Sequence, residues 1–313
     1  MLHSLHTPDI RLLRVFMTVV ECGGFSAAQI ALNVGQSTIS TQMSDLESRL
    51  GMRLCRRGRS GFALTEDGKF VYESAKSLFR SIDQFTSAVN GARGGLSGEL
   101  RIAFADVLYR NPDFRLAQAI AVFLERGADV RFDLSTANPL DIEHGVLGER
   151  YHLGIHTYPS HVPGLRYYPA FTEEQTLYCG RKHPLFERAN KGRVSLDDVQ
   201  KFDYVQRSYY GGALSTGPFK PANIAASADN MEALLVLLMS GHYIGHLPTA
   251  WANEYVTQGE LTPVLAKKSR YYTLFEVAVR VGGPQSMLIE TFLSDLRELL
   301  PGNGSDKSLA KAG

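Results

Sequence analysis

Arg49, Arg53, Arg56, Arg57 and Arg59 fall in one short stretch that contains no Asp or Glu. Guanidinium groups at that density make charge-assisted, two-pronged hydrogen bonds to phosphate oxygens. The whole chain carries a net charge of only +1, so the excess is local. Just upstream, Gln36, Ser37, Thr38, Ser40 and Thr41 supply amide and hydroxyl groups that can hold phosphates or read base edges. A charge run alone is usually a solvated face. Placed directly after a row of small polar residues, it points to DNA.

The elements that position these groups are legible in the same stretch. Phe25-Ser26-Ala27-Ala28 opens a short helix ending near Leu32, and Asn33-Val34-Gly35 is a turn whose Asn and Gly tolerate positive φ. A second helix starts at Gln36. Ile39, Met43, Leu46 and Leu50, spaced four, three and four, form its buried stripe. Ser37, Thr41, Ser44 and Ser48 make a small polar outer face that fits a major groove. Leu54 to Arg57 and Phe62 to Thr65 predict two short strands around the turn Gly58-Arg59-Ser60-Gly61. Such a wing brings its arginines to the phosphate backbone. Before these elements, Thr7 is expected to cap a first helix with Pro8 at its first position. Leu12, Leu13, Phe16 and Val20 are its core face, and Gly23-Gly24 its stop.

The chain here resembles the LysR-type transcriptional regulators. The matching residues are Leu13, Phe16, Val19, Gly24-Phe25-Ser26, Ala28, Leu32, Gln36-Ser37, Ser40, Leu46-Glu47, Leu50-Gly51, Leu54, Arg57, Leu64-Thr65 and Gly68. Gln29, Gly35 and Cys55 depart from the family's usual residues. The resemblance implies an N-terminal winged helix-turn-helix with a long linker helix, then an α/β two-lobed periplasmic-binding-protein-like effector domain. The expected DNA contacts are Ser26, Gln36, Ser37, Thr38, Ser40, Thr41, Arg53, Arg56, Arg57 and Arg59.

Val71, Ala75, Leu78, Ile82, Phe85 and Val89 follow at four, three, four, three and four, a heptad stripe. Thr65 can cap this helix, and Glu66 and Asp67 suit its positive end. Phe70 and Phe79 widen the stripe toward the winged domain. The Gly-rich run Asn90 to Gly98 reads as a hinge, so the stripe is expected to pair with a second copy of the chain. The resemblance implies that pairing, a tetramer built from two dimers, and contact with RNA polymerase. Two-fold pairing predicts a roughly palindromic operator.

From Leu100 short apolar runs alternate with helical patterns, which suggests α/β units with mostly parallel sheets. Leu100–Phe104, Val130–Leu134 and Leu153–Ile155 read as strands and Phe114–Leu124 as a helix. The expected domains are 1–65, winged helix-turn-helix; 66–93, dimerisation helix and hinge; and 94–300, effector domain. The last divides into lobe I, 98–165 with 272–300, and lobe II, 166–271. A disordered tail is expected over 301–313.

Ligands of open α/β sheets sit beyond the carboxyl ends of strands, near helix N-termini. Ala105-Asp106, Ser135-Thr136 with Asn138, Arg207-Ser208-Tyr209, and Ser227 to Asn230 fit that geometry. Taken singly, each Ser, Thr or Asn is better explained by helix capping, and only the converging set points to a ligand. The family often has Ser or Thr where Ala105 stands, holding an effector carboxylate. Asp106 would instead attract a cationic or donor group, and Arg207 could pair an acid. A small effector of aromatic or amphoteric acid character is expected.

No run of eighteen apolar residues and no signal-peptide pattern occurs, so a cytoplasmic protein with no membrane partner is expected. Cys22, Cys55 and Cys179 form no metal or disulfide spacing. His152, His156 and His161 lie close together without completing a metal set, and no cofactor is expected. Nucleophile-elbow, zincin, P-loop and dinucleotide motifs are missing, which argues against an enzyme. The competing reading is a small-molecule-binding protein that never touches DNA. Steep salt dependence of DNA affinity separates the two.

Overall fold

The computed structural model describes residues 6–58, 61–92, 96–210, 219–281 and 287–301. The chain divides into two compact units, Met1–Thr86 and Ser87–Gly313.

The first unit contains α1 (Thr7–Glu21), α2 (Phe25–Leu32), α3 (Gln36–Leu50), β1 (Cys55–Gly58), β2 (Gly61–Leu64) and most of α4 (Glu66–Ala92). Phe16, Val19, Ala28, Ile39, Met43, Leu46 and Leu54 close its core. The cap of α1 is His6 rather than Thr7. The His6 backbone N–H donates to Asp9 Oδ2 (2.9 Å), a reciprocal box that draws Thr7 into the first turn. Asn33 ends α2 in the left-handed conformation, φ 51°. The β1–β2 hairpin pairs Cys55 with Leu64 and Gly58 with Gly61; Arg59 and Ser60 of the expected turn lie outside the described residues.

α4 starts where Thr65 Oγ1 accepts the Gly68 N–H (2.9 Å). Gly68 is required there: a Cβ would stand 1.9 Å from the Leu54 carbonyl oxygen. The heptad stripe of α4 divides between two environments. Val71 and Ala75 are buried in the unit's own core, and Leu78 packs against it, whereas Phe85 is 71% and Val89 41% exposed. Phe79 also joins the core, beneath the Arg14 guanidinium at 5.0 Å, but Phe70 is 70% exposed. The helix runs on through Asn90, Gly91 and Ala92, where a hinge was expected.

The second unit is built on one sheet. Its elements are β3 (Ser97–Phe104), α5 (Leu116–Glu125), β4 (Asp129–Thr136), α6 (Pro139–Leu147), β5 (Leu153–His156), β6 (Leu165–Gly180), α7 (Phe186–Asn190), α8 (Leu196–Val199), β7 (Asp203–Arg207), β8 (Ile224–Ala228), α9 (Met231–Met239), β9 (Tyr243–Pro248), α10 (Thr249–Thr257), β10 (Leu261–Pro263), α11 (Ala266–Ser269), β11 (Tyr271–Arg280) and α12 (Met287–Leu299). The strand order is β4-β3-β5-β11-β6-β9-β7-β8, with β10 added to β6.

Parallel pairing is confined to the flanks, β4-β3-β5 and β9-β7-β8. The middle is antiparallel, which corrects the expectation of a mostly parallel sheet. Its cause is the sixteen-residue β6, which crosses from one flank to the other and pairs with the returning β11 from Tyr271↔Gln175 to Arg280↔Leu165. Each flank has its own apolar cores. Leu100, Ile102, Phe123, Val277 and Phe292 build one lobe; Leu177, Ile244, Val205, Leu234 and Leu247 build the other. Of the expected disordered tail, residues 302–313 lie outside the described residues.

Candidate functional site

The first unit presents a polar face on α3. Gln36, Ser37, Thr38 and Thr41 are exposed and Ser40 is half-buried, while Ile39, Met43 and Leu46 turn inward. The helix has no side-chain cap at Gly35 and no acid in its first turn. Its N-terminal N–H groups and positive dipole end therefore suit an anion. Ser26 is exposed at the start of α2, where Gln29 Nε2 donates to its carbonyl (3.3 Å). Arg53 and Arg56 are exposed after α3; the Arg57 side chain and Arg59 lie outside the described residues.

Two charged residues of this stretch have structural partners instead. Arg49 Nη1 lies 2.9 Å from Asp9 Oδ1 and ties α3 to α1. The Asp9 carboxyl is held below its usual range by the His6 N–H and then by Arg49. Glu47 Oε1 accepts the Leu54 N–H (2.7 Å) and the Cys55 N–H (3.3 Å), clipping β1 to α3. Cys55 belongs to the core at 6% exposure, as its place on that clipped strand dictates.

In the second unit a cleft of about 280 Å³ lies at the carboxyl ends of β3, β4, β5, β7 and β8. Asp106 follows β3. Thr136 ends β4, Ala137 and Asn138 follow it, and Asp141 lies in the first turn of α6. His156 ends β5, Tyr209 follows β7, and Asp229 and Asn230 precede α9. Asn138 and Asn230 are helix caps, accepting the N–H groups of Asp141 (2.9 Å) and Ala233 (2.8 Å).

Asp106 reaches across the lobes. The Met231 N–H donates to its Oδ2 at 2.5 Å, so a carboxylate already sits at the N-terminus of α9. The next residue, Val107, has φ 54°, which a β-branched residue rarely adopts, and packs on the opposite lobe's core. Arg110 Nη2 and Glu254 Oε2, 2.8 Å apart, add a second link. Beneath them Glu173 accepts from Asn111 Nδ2 (3.3 Å) and Gln175 Nε2 (2.9 Å), and burial pushes its carboxyl pKa up.

Five expected contacts line this cleft: Asp106, Thr136, Asn138, Tyr209 and Asn230. Five do not. Ala105 is packed in its lobe's core and gives its N–H to the Ile155 carbonyl (3.0 Å). Ser135 alternates with the lining Thr136 along β4, Ser227 lies within β8 ahead of the lining Asp229 and Asn230, and Ser208 is exposed beside Tyr209. Arg207 lies buried behind Tyr209, donating to its hydroxyl (3.0 Å) and to Met231 Sδ (3.4 Å). Asp141 and His156 were not expected there, and Asp229 only as part of the segment Ser227 to Asn230. Burial, then the nearby Arg207 charge, lowers the His156 pKa to about 3, so its ring is neutral.

Known proteins resemble the chain over both units. The family described as "Bacterial regulatory helix-turn-helix protein, lysR family" matches residues 10–69, and "LysR substrate binding domain" matches residues 93–301. The HTH-type transcriptional activator BauR of Pseudomonas aeruginosa is 40% identical over 285 residues, 91% of this chain and 93% of that protein. The crystal structure of CbnR, a LysR family transcriptional regulator, covers 93% of this chain and 99% of its own at 20% identity, with a TM-score of 0.66. Full-length CbnR complexed with its target DNA gives a TM-score of 0.66 at 21% identity and the same coverage.

Proposed function

The chain belongs to the LysR family of transcriptional regulators, and from that membership we propose which surfaces carry out its work. It is a transcriptional regulator with a helix-turn-helix DNA-binding domain and an effector-binding domain. Gln36, Ser37 and Thr38 meet the operator through side chains and the uncapped start of α3, with Ser26, Ser40 and Thr41 in support. Arg53, Arg56, Arg57 and Arg59 hold the phosphate backbone. The observation that carries this reading is an α3 whose first turn is exposed, uncapped and free of acids. The exposed Phe85 and Val89 of α4 supply apolar surface for a second copy of the chain. A dimer built there presents two reading heads to a two-fold operator.

The cleft lined by Asp106, Asp141, His156, Tyr209, Asp229 and Asn230 is the effector site. A ligand there bridges the two lobes and changes how DNA is held. No described helix is long and apolar enough to cross a membrane, which supports action in the cytoplasm, where RNA polymerase is the further partner.

Selection from a random duplex pool with the full chain tests this reading. The expected product is a two-fold-symmetric motif whose affinity falls steeply with salt. A pool that stays unenriched would reject the assigned interface.

A further inference from the structure

The effector reading leaves the chemistry of the ligand unassigned, and the cleft's own charges carry that step, which rests on that reading. Asp106, Asp141 and Asp229 all line the cavity. Among the described residues none of the three takes part in an ion pair. Each spends one oxygen inside the protein: Asp106 Oδ2 on the Met231 N–H, Asp141 Oδ2 on Asn138 Nδ2 (2.7 Å), Asp229 Oδ1 on Asn230 Nδ2 (3.0 Å). The second oxygen of each has no described donor.

Backbone N–H donors at the helix N-termini beside the cleft, which an acidic ligand would use, are engaged within the protein. The N-terminus of α9 gives its Met231 N–H to Asp106 and its Ala233 N–H to Asn230. The Asp141 N–H of α6 goes to Asn138. Arg207, the nearest candidate cation of the sequence, lies behind Tyr209 and off the cavity wall.

His156 gives an independent sign of a ligand. It is 1% exposed yet lines the cleft, and its Nδ1 accepts the Thr157 N–H at 2.7 Å. Nδ1 also lies 3.1 Å from the Thr157 carbonyl oxygen; the shorter contact, from the N–H, gives Nδ1 the acceptor role and leaves the ring proton on Nε2, which has no described partner. A donor on a buried side chain that lines a cavity calls for an acceptor there.

We infer that the cleft takes a small ammonium-bearing ligand, its nitrogen held among Asp106, Asp141 and Asp229, with an oxygen elsewhere on the ligand meeting His156 Nε2. The chain's own Asp106 carboxylate occupies the α9 N-terminus, so the ligand supplies the opposite charge. At about 280 Å³ the space suits a compact molecule rather than a polymer segment.

The test uses the full chain and four probes built on one unbranched four-carbon chain, at millimolar concentration: butylamine, 4-aminobutanoate, butanoate and butanol. Melting temperature and affinity for the selected duplex are both read. The two amines are expected to raise the melting temperature, with butanoate and butanol inert. Asp229→Asn is expected to weaken 4-aminobutanoate by about tenfold or more, as loss of a charge-assisted bond implies, with Asp229→Glu restoring part of it. Binding of butanoate in preference to butylamine overturns the charge assignment, as does indifference to every probe or an Asp229→Asn variant that binds the amine unchanged. Amine binding that leaves duplex affinity unaltered upholds the ligand class and overturns control through the cleft.

Discussion

The Met231 backbone N–H and the Asp106 carboxylate, 2.5 Å apart, join the first helical turn of one lobe to the strand end of the other. The bond offsets the strained conformation of Val107 beside it, whose side chain is drawn onto the core of α9 and its neighbours. Asp106→Ala leaves a helix N–H without its acceptor. The expected loss is about 1–3 kcal/mol in urea unfolding of the full chain. An unchanged midpoint would show that the lobes do not depend on this latch.

Gly68→Ala places a methyl group against the Leu54 carbonyl oxygen, which already accepts the Thr65 N–H at 3.0 Å. The backbone on both sides is fixed, so α4 and β1 must part. A destabilisation of about 1–3 kcal/mol is expected, with DNA affinity falling alongside it. Thermal melting of the variant as cooperative as wild type and at the same temperature would contradict the close approach.

His156 and His246 are buried neutral. Burial, with the Arg207 charge adding to it and a Ser269 hydrogen bond opposing it at His246, brings their pKa values to about 3 and about 4. In the unfolded chain both titrate near 6.5. Between those values and 6.5 the unfolded chain binds protons that the folded one refuses, so stability falls as pH falls. The slope is about 1.4 kcal/mol per pH unit for each histidine. Urea midpoints at pH 7, 6 and 5 should decline accordingly, and His246→Gln should flatten the decline. A pH-independent midpoint over that range would show that these rings take up protons in the fold as readily as in the unfolded chain.

Much of this could be read from the chain before its structure. The period of α3 fixed which of its residues face inward, because a helix repeats every 3.6 residues whatever surrounds it. The stripe of α4 was equally visible, but period says only which residues share a face. It could not say that Val71 and Ala75 meet their own domain while Phe85 does not. The cleft was half legible, since the rule of strand ends and helix starts found Asp106, Asn138 and Asn230. Applied to Leu153-Gly154-Ile155 it also reaches His156, which ends that strand, although the nearby His152 and His161 make it look like part of a metal set. Arg207 shows the opposite error: charge in the right segment, but a side chain turned behind Tyr209.

Phe85→Glu should abolish self-association measured by sedimentation, because it charges an exposed part of the stripe without touching a core. Val71→Glu should instead unfold the winged domain, since Val71 is 9% exposed. Equal effects from both substitutions would mean that the two halves of α4 share one environment.

Gln36→Ala and Thr38→Ala should lower affinity for the selected operator and leave random duplex binding nearly unchanged. Arg53→Ala with Arg56→Ala should weaken both and reduce the salt slope by about one per arginine. Equal losses on both duplexes for all variants, in titrations across a salt series, would reject the division between reading and anchoring residues.

β6 and β11 run side by side for the whole length of β11, with residues from both lobes in one hydrogen-bonded ladder. Neither lobe owns that ladder, so neither can melt without fraying the other's central strands. Damage is therefore shared: a substitution in the core around Phe292 and one in the core around Leu247 should lower the same calorimetric transition. The sensing half of the protein has several separate apolar cores and a single cooperative fate.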